Sequence, residues 1–428
     1  PRGRECDTLN LFSTVAAVLG LTALLNYVNE RYLRLPQTIG LMMLALGFTV
    51  LLAVAGRLGV LGDFTRFKDF VSHLSLSDTL LKGMLCFMLF AGSINVKAHP
   101  LGEEKWVVLT LAIGATIIAA ILIGLSTWVL FATFGIALGL VYAFVFGALI
   151  SPTDPIAALA ILGKVGLPPR LEAIIDGESL FNDGVGVVLF SIALTVALGT
   201  SQPTLMDAVV MFLREVLGGV VLGLVAAALM HHMLLRTVDF GTQVLISLAI
   251  VAMAYAIAEH IAVSGPIATV IIGLVVGNAT LPRLKQRERV PFATFWRAID
   301  EGLNAMLFVL IGLHIAVVPF STGGGPAAAS AIVICLVSRW ISVYFPLTAL
   351  SRAGILEANT VGLSNLLTWA GLRGGLAIAM ALSLPASPEK DLILQMTYGV
   401  VAFSIIVQGL TVGRIFKADR LARLLTSS

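Results

Sequence analysis

Three carboxylates, Asp154, Glu178 and Asp183, stand inside long apolar runs, within Ser151-Pro152-Thr153-Asp154-Pro155 and Gly177-Glu178-Ser179-Leu180-Phe181-Asn182-Asp183-Gly184. A charge at the centre of a bilayer costs roughly 2.5–3.5 kcal/mol on insertion scales, so such residues persist mainly where they face a polar cavity and perform a task. The pattern predicts an ion or proton site at membrane depth. Composition supports the membrane setting: 58% of the 428 residues are hydrophobic and only 12% are charged, against about 25% in a soluble domain. The mean hydropathy is +1.00.

Apolar stretches long enough for a bilayer core of about 30 Å fall at 8–28, 36–57, 78–97, 105–131, 137–162, 171–199, 204–235, 242–262, 264–281, 295–318, 326–350, 359–384 and 392–415. The expected fold is thus an all-α polytopic membrane protein with about thirteen transmembrane helices. With an odd number of spans the termini lie on opposite sides. Sixteen of the 27 Lys and Arg residues then collect on one side and seven on the other. Basic residues favour cytoplasmic loops, which places the N-terminus outside and the C-terminus in the cytoplasm. The same loops account for a pI near 8.9, so nucleic acid is not an expected partner. Cys6, Cys86 and Cys335 are read as small hydrophobes and not as a disulfide or metal framework. No cleavable signal peptide is expected.

Phe64, Phe67, Phe70, Val71 and Leu74 recur at helical spacing and predict a short interfacial helix on the outer face. Residues 283–297, basic and carrying Pro291, Phe292, Phe295 and Trp296, are expected to be a cytoplasmic linker ending in an aromatic interface anchor.

The fifth and twelfth spans carry breakers. Pro152 and Pro155 bracket Thr153-Asp154, and proline removes a backbone donor and clashes with the preceding turn. Glycines surround Arg373 in Trp369-Ala370-Gly371-Leu372-Arg373-Gly374-Gly375. Paired interrupted helices in two halves are the sequence pointer to a secondary transporter with inverted repeats; ordinary kinked helices are the alternative. Six-helix repeats are expected at 8–199 and 242–415, joined by the span at 204–235. Helix ends carry about half a charge, so Asp154 can offset N-terminal dipoles in one break and Arg373 C-terminal carbonyls in the other. Ser179 and Asp183 share a helical face, and Glu178 and Asn182 share the neighbouring one. Oxygens from Asp183, Ser179, Asp154 and the Thr153 carbonyl suit a hard monovalent cation such as Na⁺, for which a proton would compete.

These motifs, with Ser264-Gly265-Pro266, Arg339 and Gly371-Leu372-Arg373-Gly374, resemble the cation/proton antiporter family, in the branch holding the prokaryotic NhaP exchangers and the animal sodium/proton exchangers. The resemblance spans essentially the whole chain. It implies thirteen spans with two crossed discontinuous helices, a transport core drawn from about 78–199 and 295–415, a dimerisation half, a homodimer and elevator-like alternating access. It further implies that Asp183 is the shared Na⁺/H⁺ carboxylate, with Asp154, Ser179 and Thr153 as companion ligands. Asn182 would bridge to the crossed helices, Glu178 would pair with Arg339, and Arg373 would support the site. In this family Asn-Asp members are electroneutral and Asp-Asp members electrogenic, so Asn182-Asp183 implies one-for-one exchange. Related archaeal exchangers have Phe-Glu-Gly where this chain has Phe90-Ala91-Gly92, so a ligand or gate from that Glu is missing.

The expected activity is Na⁺ or Li⁺ exchange for H⁺, by a transporter and not an enzyme, in a prokaryotic inner membrane and without a cofactor. Cations, protons, lipids and a second copy are the expected partners. A K⁺/H⁺ exchanger is the alternative within the class. A cation channel needs an open pathway, and an intramembrane aspartyl protease needs a Gly-x-Gly-Asp signature absent around Asp154 and Asp183. Acidic Asp300 and Glu301 form either a cation-attracting funnel or a solvated helix end, Arg214, Glu215, His231 and His232 are read as interface residues, His314 as a packed or pH-modulating residue, and Glu259 and His260 sit close to the outer end of the span at 242–262.

Overall fold

A computed structural model describes residues 11–57, 83–136, 138–199, 204–315, 318, 324–417, 421 and 424. The interfacial helix expected at 64–74 and Cys6 lie outside these residues. The described chain is nearly all helix. Its elements are α1 (Leu11–Val28), α2 (Gln37–Arg57), α3 (Leu85–Ile94), α4 (Lys105–Thr133), α5 (Leu140–Ile150), α6 (Ile156–Val165), α7 (Pro169–Ala197), α8 (Leu205–Arg236) and α9 (Phe240–His260). These are followed by α10 (Gly265–Val275), α11 (Gln286–His314), α12 (Gly324–Arg352), α13 (Thr360–Ala370), α14 (Gly375–Leu382) and α15 (Pro388–Ile415). Eight helical stretches among the described residues are long and apolar enough to cross a membrane.

Local sequence explains where several helices start. Thr204 and Asp207 form a reciprocal capping box at α8. Asp239, Ser264, Asn359 and Ser387 each accept a backbone N–H at the starts of α9, α10, α13 and α15. Pro169 and Pro388 sit where a missing N–H costs nothing. α6 ends on Gly166 at φ +89°, a left-handed position suited to glycine.

Among the described residues the apolar interior includes three large clusters and a smaller one around Leu89, Leu180 and Val270. Ile39, Phe146, Phe308 and Val401 belong to a core shared by α2, α5, α11 and α15. Leu111, Leu162, Ile174, Leu347 and Leu366 join α4, α6, α7, α12 and α13. Phe90, Met230, Val251, Ile272 and Trp296 join α3, α8, α9, α10 and the first half of α11. The periphery is inverted relative to a soluble protein, with Leu217, Val221 and Val225 on α8 and Val333 and Val337 on α12 all exposed; in a bilayer such residues meet acyl chains.

The expected linker at 283–297 is corrected. α11 begins at Gln286 and runs through Pro291, and Trp296 is fully buried instead of anchoring at an interface. Its indole donates to Ser247 Oγ at 3.2 Å and packs edge-on against Phe90 at 4.5 Å. The sequence cue failed because a Trp with a buried hydroxyl partner satisfies its N–H as well as one at the headgroups.

Candidate functional site

The helix breaks fall at 151–155, between α5 and α6, and at 371–374, between α13 and α14. α5 and α13 are 11 residues each, or about 16 Å, half the hydrocarbon core. Their ends therefore meet inside the protein.

At that meeting the two extended segments pair. The Asp154 N–H donates to the Leu372 carbonyl at 2.7 Å, forming an isolated antiparallel bridge. The Asp154 carboxylate accepts the Ile156 N–H at 2.9 Å and so caps α6. It also lies against Gly374 at the start of α14, where an added Cβ would stand 2.7 Å from its Oδ2. One carboxylate thus faces two helix N-termini, the favourable placement for negative charge. Arg373 does the converse: its Nη1 donates to the carbonyls of Ser151 and of Pro152, the latter at 3.0 Å. These are carbonyls left open at the end of α5, so Arg373 from the second break caps a helix end in the first. The Arg373 N–H donates to Ser404 Oγ at 2.8 Å, within a π-helical turn of α15 at Ser404–Gln408.

α7 runs unbroken past the crossing and presents different residues to each side. Asn182, fully buried, accepts the Thr153 N–H at 3.2 Å and donates to Thr153 Oγ1 at 2.8 Å. Thr153 and Ser179 share a hydroxyl hydrogen bond of 3.2 Å. Glu178 points the other way, where its Oε1 lies 2.5 Å from Arg339 Nη2 of α12, with both side chains 2% exposed. That contact is close but not aligned as a hydrogen bond, so the pair is held by charge in a medium of low dielectric.

A cavity of about 260 Å³ opens onto the crossing. Thr153, Asp154, Ser179 and Asp183 all line it, together with Gly374. The residues expected to hold the ion are therefore brought to one wall, while Asn182, Glu178, Arg339 and Arg373 stand behind that wall. Asp300 also lines the cavity, held by Asn304 Nδ2 at 2.8 Å, whereas its neighbour Glu301 is exposed. Gly92 lines the cavity and Ala91 is fully buried, its carbonyl accepting from Asn95 Nδ2 at 3.0 Å.

Sequence reasoning missed Asp176 and Asn95, which line the same cavity. The signal was available for Asp176: with Ser179 and Asp183 it follows the i, i+3, i+7 spacing of one helix face. It also missed the Arg170–Glu104 ion pair at 2.5 Å, which ties the start of α7 to the loop before α4. His231 contacts Thr280 Oγ1 at 2.8 Å and Arg283 Nη1 at 3.2 Å, away from the crossing. Among the described residues no group of three or more His, Cys, Asp and Glu side chains is arranged to hold a metal ion. The donors at the crossing itself are instead the carboxylates of Asp154 and Asp183 with the hydroxyls of Thr153 and Ser179, while Asp176 and Asp300 line the cavity beside them.

The family model described as "Sodium/hydrogen exchanger, transmembrane" matches residues 17–418. The Na⁺/H⁺ antiporter NhaP of Pseudomonas aeruginosa is 39% identical over 409 residues, covering 95% of this chain and 96% of that protein. The Na⁺/H⁺ antiporter NhaH of Halobacillus dabanensis is 33% identical over 378 residues, covering 86% and 91%. The solved structure of the sodium proton antiporter MjNhaP1 from Methanocaldococcus jannaschii superposes with a TM-score of 0.75 over 97% of this chain and 99% of that one, at 18% identity, which establishes a common fold. On the near-complete family match and the extent of these likenesses, the chain belongs to the transmembrane sodium/hydrogen exchanger family.

Proposed function

We propose that the chain exchanges Na⁺ or Li⁺ for H⁺, one for one, by alternating access across a prokaryotic inner membrane. The observation that carries this reading is the 260 Å³ cavity ending on Asp183, Asp154, Ser179 and Thr153 at the crossing of two broken helices. The names of the relatives, Na⁺/H⁺ antiporters over most of their length, support the same cargo.

In this reading Asp183 takes either a proton or the cation. Asp154, Ser179 Oγ and the Thr153 carbonyl complete an oxygen shell suited to a hard ion. A bound Na⁺ replaces a bound proton, so the charge of the site is the same in both loaded states. Asn182 preserves that balance: its amide is engaged with Thr153 and offers no second carboxylate proton to trade. Asp176 and Asp300 add negative potential along the wall and raise the local cation concentration.

The thirteen-span count, the inverted repeats, the N-terminus outside and the division into transport core and dimerisation half belong to the same proposal. The exposed apolar face of α8 suits lipid or a second copy. The test is proton flux in proteoliposomes with an imposed pH gradient, on addition of Na⁺, Li⁺ or K⁺. Flux with Na⁺ or Li⁺ that Asp183→Asn abolishes is the expected result. Flux with K⁺ alone would move the cargo to the alternative ion, and flux surviving the substitution would remove Asp183 from the mechanism.

A further inference from the structure

Behind the second break, on the side away from the ion cavity, lies a void of about 10 Å³. Arg339, Arg373, Thr368, Gly371, Gln408 and Cys335 are among its lining residues. Arg339 is 2% exposed, yet its Nε and Nη1 have no hydrogen-bond partner among the described residues, and neither has Thr368 Oγ1 at 7% exposure. Three unpaired polar atoms thus belong to two buried side chains that line one small space. The other polar groups of the wall are engaged: Arg373 with Ser404, Ser151 and Pro152, and Gln408 Nε2 with the carbonyls of Thr368 and Trp369 at 3.3 and 3.4 Å.

We propose that this void binds a single ordered water, held by Arg339 and Thr368. The volume matches the roughly 10–15 Å³ that one water centre requires, and a buried water needs two to four polar partners. Arg339 supplies N–H donors to the water oxygen, and the Thr368 hydroxyl can donate to it or accept from it. A halide is larger and would lie against the carbonyl end of α13, where the helix dipole is negative. Gly371 keeps the space open, since a Cβ there would stand 3.1 and 3.2 Å from Arg339 Nε and Nη2. The water completes a link from Glu178 on α7, through Arg339 on α12, to the last turn of α13 before the break. The inference rests on packing and hydrogen bonding and stands apart from the exchange reading.

A density map of the full chain in lipid nanodiscs, at a resolution showing buried waters elsewhere in the bundle, tests it. The expected result is one peak within hydrogen-bond distance of Arg339 Nε or Nη1 and of Thr368 Oγ1. Thr368→Ser keeps the peak and the melting temperature, while Thr368→Val loses the peak and melts about 2 °C lower. An empty void in such a map would overturn the proposal, as would a peak that becomes an anomalous scatterer in bromide, or a Thr368→Val protein with both peak and melting temperature unchanged.

Discussion

The two helix breaks lie against each other and are built from opposite materials. The first is made by Pro152 and Pro155 and carries a carboxylate that faces the cavity; the second is made by glycines and carries an arginine buried in protein. Asp154 caps its own downstream half-helix through Ile156 and also serves the start of α14. Arg373 serves none of its own break's carbonyls in the contacts described and instead caps α5, with its backbone held by Ser404. In the proposed exchange the first break offers its carboxylate to an incoming ion, with the backbone around it stabilised from the second. The second has no cavity-facing charge and acts as the support. This asymmetry explains how a half-buried carboxylate and a buried guanidinium sit near one another without forming a closed ion pair.

Breaking the support should cost the most. Arg339→Ala leaves Glu178 buried without its partner, a loss of about 3–5 kcal/mol, seen as a large fall in thermal stability that Glu178→Gln partly restores in the double variant. Arg373→Leu removes the donors to the Ser151 and Pro152 carbonyls and should destabilise by about 2–3 kcal/mol; an unchanged melting temperature would mean that α5 does not depend on the second break. Gly374→Ala acts on the ion side. Its methyl would displace the Asp154 carboxylate, raising the apparent Na⁺ KM about tenfold, or ~1.4 kcal/mol, in a protein that still folds. The smallest effect lies far from both breaks. Asp239 accepts the Thr242 N–H and hydroxyl, each at 2.8 Å, and these bonds hold its carboxyl below the usual carboxylate range. Its stabilising effect is present at neutral pH and lost as pH falls through that lowered value. Asp239→Ala should therefore melt slightly lower than the parent at pH 7, with the gap closing below about pH 4.

Both breaks were legible in the sequence because proline and glycine act locally and their effect does not depend on what packs nearby. The motif residues were legible for a related reason: Ser179 and Asp183, or Glu178 and Asn182, are assigned to faces by helical periodicity alone. Partners across the fold were less so. That Arg373 reaches the carbonyls of the other break depends on how the half-helices cross, which no local pattern encodes. Trp296 was misplaced because an aromatic at the end of a basic stretch looks the same at a headgroup and in a core, and only the packing of α11 on α3 and α9 decides. Asp176 was overlooked although its spacing to Asp183 placed it on the cavity face. The π-helical turn that brings Ser404 to Arg373 has no signature in its own residues.

The central claim is that Asp183 exchanges a proton for the cation at the crossing. Proton release on Na⁺ binding to the purified protein, at fixed pH, measures that exchange without transport. The account predicts one proton released per Na⁺ bound, with both binding and release lost in Asp183→Asn. Na⁺ binding that persists in the variant, or that releases no proton in the parent, would contradict it.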